Sequence, residues 1–322
     1  MHIAILFLIL FLGIILLSKG ADILVQGSSS LAISYGVPLL IISLIIVSLG
    51  TSLPELFVSA LSSAQGEKDI ALGNVIGSNV ANILLVLGLS ALIRPVKMKD
   101  PLADREVLIL GLVTAVMLLF IVYGGFPAWV GALFLVSYLI YLLSLFRIAR
   151  NEMIKAKLES EAIEEMEEIG VKKERPIISW IKVIIGFAGV LTGSELLIYS
   201  AVGIAEFFLV PSGIIALSLV AVGTSLPELA TCVVASLRGT DAVSIGTIIG
   251  SNNFNILVVL GVAILISPIS TGAGMVTGGI FAIISFFILA LSQKYGVINR
   301  VTGAAMLFIY ALYIATTYGF RL

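Results

Sequence analysis

Two glutamates, Glu55 and Glu228, stand inside apolar stretches long enough to span a membrane, and the same residues precede both. Gly50-Thr51-Ser52-Leu53-Pro54-Glu55-Leu56 recurs as Gly223-Thr224-Ser225-Leu226-Pro227-Glu228-Leu229. An ionised side chain at the centre of a membrane helix costs at least about 2.5–3.5 kcal/mol on insertion scales, so something must offset each charge. A resident lysine or arginine would do so by locking two helices together. The only basic residue away from the loops is Lys19, which is expected to pair with Asp22 one turn on, or to extend towards the membrane surface. Two buried carboxylates with no partner in the chain imply a cation that arrives from solution.

Their neighbours are oxygen donors. On a helix, Thr51 and Ser52 lie four and three residues before Glu55 and share its face, and Thr224 and Ser225 stand likewise to Glu228. Ser78 and Asn82 are four apart on the next span, and Ser251 and Asn255 repeat that spacing. Carboxylates, amides and hydroxyls are hard donors. They suit Ca²⁺, which takes about 6–8 oxygens, better than Mg²⁺, which keeps its waters; softer metals would want Cys or His. Pro54 and Pro227 have no N–H, so the carbonyls of Gly50 and Gly223 lose their helical donors. A helix broken in this way is tolerated at membrane depth only where protein or a cavity surrounds it.

The elements that must hold these residues are membrane helices. Of the 322 residues, 60% are apolar and 11% charged, whereas a soluble domain has about 45–50% and about 25%. That excludes a soluble enzyme, and the net charge of −1 offers no basic face to nucleic acid. One cysteine, Cys232, excludes an internal disulfide and a cysteine-based metal cluster and reads as a small core residue; the single histidine, His2, offers no base or metal site. Spans of about 20 apolar residues are expected near 2–18, 38–64, 70–93, 104–123, 127–148, 177–201, 211–237, 243–267, 273–292 and 300–320. The fold class is an all-α polytopic membrane protein of ten spans. If the polar segment 149–176 is cytoplasmic, 15 of the 18 Lys and Arg fall on the inner side and both termini face outward.

The two halves match at an offset of 173 residues. Gly73, Gly77, Ser78, Asn79 and Asn82 recur as Gly246, Gly250, Ser251, Asn252 and Asn255, and Pro38, Gly88 and Pro95 recur as Pro211, Gly261 and Pro268. This is an internal duplication. Five spans separate each element from its copy, so the copies cross the membrane in opposite directions, an arrangement typical of secondary transporters. Residues 1–148 form the first five-helix repeat, 149–176 a charged cytoplasmic linker and 177–322 the second, inverted repeat. The acidic run from Glu159 to Glu168 reads as a solvated linker helix without EF-hand spacing. Gly73 and Gly77, and Gly246 and Gly250, are expected to pack helices closely.

With GTSLPEL and GNVIGSNVANIL in one half, and GTSLPEL and GTIIGSNNFNIL in the other, the chain resembles the cation/calcium antiporter superfamily, most closely its prokaryotic sodium/calcium exchangers. The resemblance spans all ten helices. It implies alternating access by sliding of the first and sixth spans, and a central diamond of Glu55, Asn82, Glu228 and Asn255. It also implies that Thr51, Ser52, Ser78, Thr224, Ser225 and Ser251 complete the calcium and sodium sites. Those exchangers usually carry Asp where this chain has Asn255, so the site here holds two formal negative charges.

The implied function is antiport of Ca²⁺ against Na⁺, with no cofactor and no catalytic residues. The alternatives are H⁺ or K⁺-assisted exchange on the same glutamates. An intramembrane hydrolase would need a nucleophile or a zinc motif that is missing, and a passive channel would conduct rather than exchange. The partners are the transported ions and the lipid bilayer, with no nucleic acid and no obligate protein. The lack of long regulatory domains points to a prokaryotic cell membrane.

Overall fold

A computed structural model of the chain describes residues 3–98, 100–158, 174–208, 223–271 and 273–317. The helices are α1 (Ile3–Tyr35), α2 (Leu39–Thr51), α3 (Leu53–Ala64), α4 (Lys68–Ile93), α5 (Pro101–Tyr123), α6 (Ala128–Leu158), α7 (Pro176–Phe207), α8 (Leu226–Arg238), α9 (Asp241–Ile266), α10 (Ala273–Tyr295) and α11 (Arg300–Thr317). The protein is an all-helical polytopic membrane protein. Among the described residues eight helices are long and apolar enough to span a membrane. A ninth span is the pair α2 and α3, bent by 46°. The expected span 211–237 contributes α8; its first part, and the acidic run of the linker, lie outside the described residues.

α4 and α9 are mostly buried inside the protein, while the other spans turn wide faces outward. Leu8, Phe11, Leu108, Leu119, Val122 and Phe308 are among the exposed apolar side chains of that outer surface. Such a surface is stable only against lipid.

The inverted relation of the halves is visible in the contacts. α1 lies antiparallel to its own copy, α7: Gly13 approaches Gly193 and Leu197, Gly20 approaches Gly186 and Val190, and Gly27 approaches Val183. A Cβ on Gly20 would stand 2.6 Å from the Val190 nitrogen and 2.7 Å from the Gly189 carbonyl carbon, so the two backbones touch directly. Short strands repeat the symmetry. β1 (Val96–Lys97) pairs with β4 (Val297–Ile298), and β2 (Gly125–Phe126) pairs with β3 (Ile269–Ser270), both antiparallel and both between halves. The β1–β4 end gathers basic residues. There Arg94 donates to the Ser236 carbonyl, Lys97 N–H donates to Asp241, and Arg300 donates to the Ile93 carbonyl. By the positive-inside rule this is the cytoplasmic end.

Two expectations need correction. The first span does not stop near residue 18; α1 runs to Tyr35. Lys19, Asp22, Gln26 and Ser28–Ser30 lower its hydropathy, yet most of that stretch is buried, and Asp22 meets Arg238 of α8 while Ser30 meets Ser179 of α7. Asp22 does not pair with Lys19. It takes Arg238 of α8 at 2.5 Å and the Gln26 amide at 3.0 Å. The expected close glycine packing is seen at Gly246 and Gly250, where Cβ atoms would meet Leu40, Ser43, Leu44 and Ser48 of α2 within 3 Å; residues 213–221, the sequence copy of that α2 stretch, lie outside the described residues.

Candidate cation site

The repeated Thr-Ser-Leu-Pro-Glu segment breaks its helix at the serine. Ser52 (φ −90°, ψ 10°) separates α2 from α3, and Ser225 (φ −87°, ψ 5°) precedes α8 in the same geometry. Proline follows at the second position of the new helix, where its missing N–H is not needed. Each break aims its glutamate at the centre of the protein. Glu55 and Glu228 are both fully buried.

α4 and α9 cross beside them. Both change from α to π winding at the asparagine, over Asn82–Leu87 and Asn255–Leu260. Widened turns of this kind recur at functional sites. Asn82, Asn255, Ser78, Ser251, Thr51, Ser52, Thr224 and Ser225 are all buried. The structure therefore brings all ten residues singled out in the sequence into the interior between the halves.

Their hydrogen bonding is incomplete in a patterned way. Ser52 Oγ donates to Glu228 Oε1 at 3.0 Å and Ser251 Oγ donates to the same oxygen at 3.2 Å. Thr51 Oγ1 stands 3.5 Å from Ser251 Oγ. Glu228 Oε2, both Glu55 carboxylate oxygens, Asn82 Oδ1, Asn255 Oδ1, Thr224 Oγ1 and Ser225 Oγ have no hydrogen-bond partner among the described residues. Thr224 and Ser78 lie beside the Glu55 carboxylate. None of the ion pairs among the described residues involves either glutamate. Buried polar groups are almost always satisfied, and an unpaired buried charge costs several kcal/mol. Five unpartnered carboxylate and amide oxygens beside two unpartnered hydroxyls are what a hard cation would satisfy.

Two features were not assigned from the sequence. Asn79 and Asn252 clasp each other where α4 and α9 cross. Asn79 Nδ2 donates to the Asn252 carbonyl at 3.2 Å, and Asn252 Nδ2 donates to the Asn79 carbonyl at 3.3 Å. Their side-chain oxygens accept from Asn255 Nδ2 (3.1 Å) and Asn82 Nδ2 (3.0 Å). The spacing GSNxxN held the signal, but only as another polar position. The second feature is the role of Gly50 and Gly223, whose missing side chains make room for Phe187 and Ile198 of α7. No sequence pattern pairs those residues.

At the end away from the basic cluster, a cavity of about 760 Å³ opens between α1 and α7, lined in part by Leu6, Glu195, Ile198, Tyr199, Val202 and Glu206. The same positions in the other half are Ser179, Asp22, Val25, Gln26, Ser29 and Ile33. There Val25, Ser29, Ile33 and Ser179 are buried, Ser30 bonds Ser179 at 2.8 Å, and Asp22 is taken by Arg238. Among the described residues, the outer side of the α1–α7 pair thus carries a cavity at positions that are mostly packed on the inner side.

Residues 5–147 and 178–319 match the family model described as sodium/calcium exchanger protein. CaxA of Alkalimonas amylolytica is 37% identical over 303 residues, covering 92% of this chain and 93% of the relative. The inner membrane protein YrbG of Escherichia coli is 34% identical over 261 residues, covering 81% and 79%. The sodium-calcium exchanger NCX_Mj, solved after soaking with 2.5 mM Na⁺ and 0.1 mM Ca²⁺, superposes with a TM-score of 0.83 at 32% identity over 99% of both chains.

Proposed function

The chain belongs to the sodium/calcium exchanger family, and on that premise we propose that it is a secondary antiporter exchanging Ca²⁺ for Na⁺ by alternating access. The observation that carries this reading is the buried pair Glu55 and Glu228. Three of their four carboxylate oxygens have no hydrogen-bond partner among the described residues, and no described basic residue is paired with them. The ligand set is Glu55, Glu228, Asn82 and Asn255, with the hydroxyls of Thr51, Ser52, Ser78, Thr224, Ser225 and Ser251.

Charge couples the two ions. The site carries two formal negative charges, because Asn82 and Asn255 are neutral. One Ca²⁺ offsets them, and so do two Na⁺, but not both sets together. Occupancy by one excludes the other, and an unoccupied pair of carboxylates is too costly to cross a low-dielectric interior. Residues 1–148 and 177–322 supply the inverted halves and 149–176 joins them in the cytoplasm. The inverted relation supplies the second orientation, since the contacts of one half are available to the other.

The test is ⁴⁵Ca uptake into proteoliposomes with Na⁺, K⁺ and pH gradients imposed one at a time. Uptake driven by an outward Na⁺ gradient alone supports the reading. Uptake that follows only the pH gradient would replace Na⁺ by H⁺ on the same glutamates.

A further inference from the structure

Asn82 and Asn255 can each present either end of an amide to the centre of the protein. An oxygen attracts a cation and an NH₂ group repels it, so the rotamer decides whether these residues are ligands at all. The choice is made by the clasp between α4 and α9. The main-chain carbonyl of Asn79 can only accept, so Asn252 must turn its Nδ2 towards it. That leaves Asn252 Oδ1 facing Asn82, which must answer with Nδ2. Asn82 Oδ1 is then the end left over, buried and without a partner. The same chain of reasoning starts at the Asn252 carbonyl, passes through Asn79 and ends with Asn255 Oδ1, also buried and unpartnered.

We propose that Asn79 and Asn252 are positioning residues that relay the polarity of two main-chain carbonyls to Asn82 and Asn255, so that both amides show only oxygen to the transported cation. The proposal rests on the ligand reading above. Neither Asn79 nor Asn252 touches the ion. They act before it arrives, by removing the amide rotation that Ca²⁺ would otherwise have to oppose. The relay also tells position 255 what it must be, because the Asn79 oxygen facing it needs a hydrogen-bond donor. An asparagine supplies one and an ionised aspartate does not.

The experiment compares N252L and N79L with N252D, N79D and the ligand variants E55Q and E228Q. Ca²⁺ binding is measured on purified protein, and KM and Vmax for Ca²⁺ in proteoliposomes. The leucine variants remove donor and acceptor together and let the ligand amides turn. They should raise the Ca²⁺ KM at least about tenfold, while Vmax stays within about threefold. An aspartate protonated against the facing carbonyl keeps both functions, so N252D and N79D should stay within about threefold of the parent KM. Should the leucine chains aggregate, N252S and N79S, whose hydroxyl is too short to span both partners, carry the same expectation. Leucine or serine variants that fold and bind Ca²⁺ as the parent does overturn the relay, as do aspartate variants as impaired as the leucine ones. E55Q and E228Q that still bind Ca²⁺ with parent affinity would instead overturn the ligand reading beneath it.

Discussion

Ser52 of the first half donates a hydrogen bond to Glu228 of the second, at 3.0 Å. Its counterpart under the 173-residue offset, Ser225 with Glu55, is not made: Ser225 Oγ and both Glu55 oxygens have no partner. Two segments of identical sequence therefore hold their glutamates differently. The break in symmetry has the same sense as the larger one, an outer cavity on α7 whose inner equivalent on α1 is packed closed.

The glutamates are expected to be individually indispensable. E55Q and E228Q keep the shape of the side chain and remove one of two charges. Unbalancing a buried pair costs about 3–5 kcal/mol. Sodium-driven ⁴⁵Ca uptake should fall at least about a hundredfold in each, with the protein still monodisperse. Uptake above a tenth of the parent rate in either variant would remove that residue from the site.

Asn255 sets the charge of the site, so N255D should change the charge moved per Ca²⁺. An aspartate there supplies the donor that Asn79 Oδ1 needs only while protonated; on ionising it raises the site from two formal charges to three, so its proton enters the charge balance. Membrane potential should then alter the uptake rate of N255D differently from that of the parent. The measurement is uptake under clamped K⁺/valinomycin potentials, and identical voltage dependence in the two proteins would count against the assignment.

The ion pair between Asp22 and Arg238 holds α1 to α8 on the inner side. It is partly exposed, and such pairs contribute about 0–1 kcal/mol, enough to shift a two-orientation balance severalfold. Ser29 is buried there, while its counterpart Val202 lines the outer cavity. In a C232A background, S29C should react slowly with a membrane-impermeant maleimide applied from the inside, and faster once D22N is added. V202C should be labelled from the outside. S29C reactivity that ignores D22N would show that the pair does not hold the inner side shut.

Gly20 sits with its backbone against Gly189 and Val190. G20A has no flexible side chain to push aside, and overpacking of this kind costs about 1–3 kcal/mol. The thermal midpoint in detergent should drop by several degrees and transport should slow.

Much of this was legible in the chain itself. The duplication, the opposed direction of the halves, the buried acids and their hydroxyl and amide neighbours all follow from residue identity and spacing, because a membrane span has one period and few tolerated charges. The ends of α1 were misjudged for the same reason. Hydropathy counts Lys19, Asp22 and the serines against a span, and cannot know that Asp22 meets Arg238 or that Ser28–Ser30 are buried.

What only the tertiary structure decided is which atom faces which. That Asp22 takes Arg238 rather than Lys19, that Phe187 fills the space beside Gly50, that Asn79 and Asn252 fix the amides of Asn82 and Asn255, and that one side of the α1–α7 pair is open are relations between residues far apart in sequence. Covalent order repeats the GTSLPEL and GSNxxN motifs in both halves and so predicts symmetry at the site. Packing must choose a single arrangement of the two helices that touch backbone to backbone, and that choice is what makes equal sequences unequal in space.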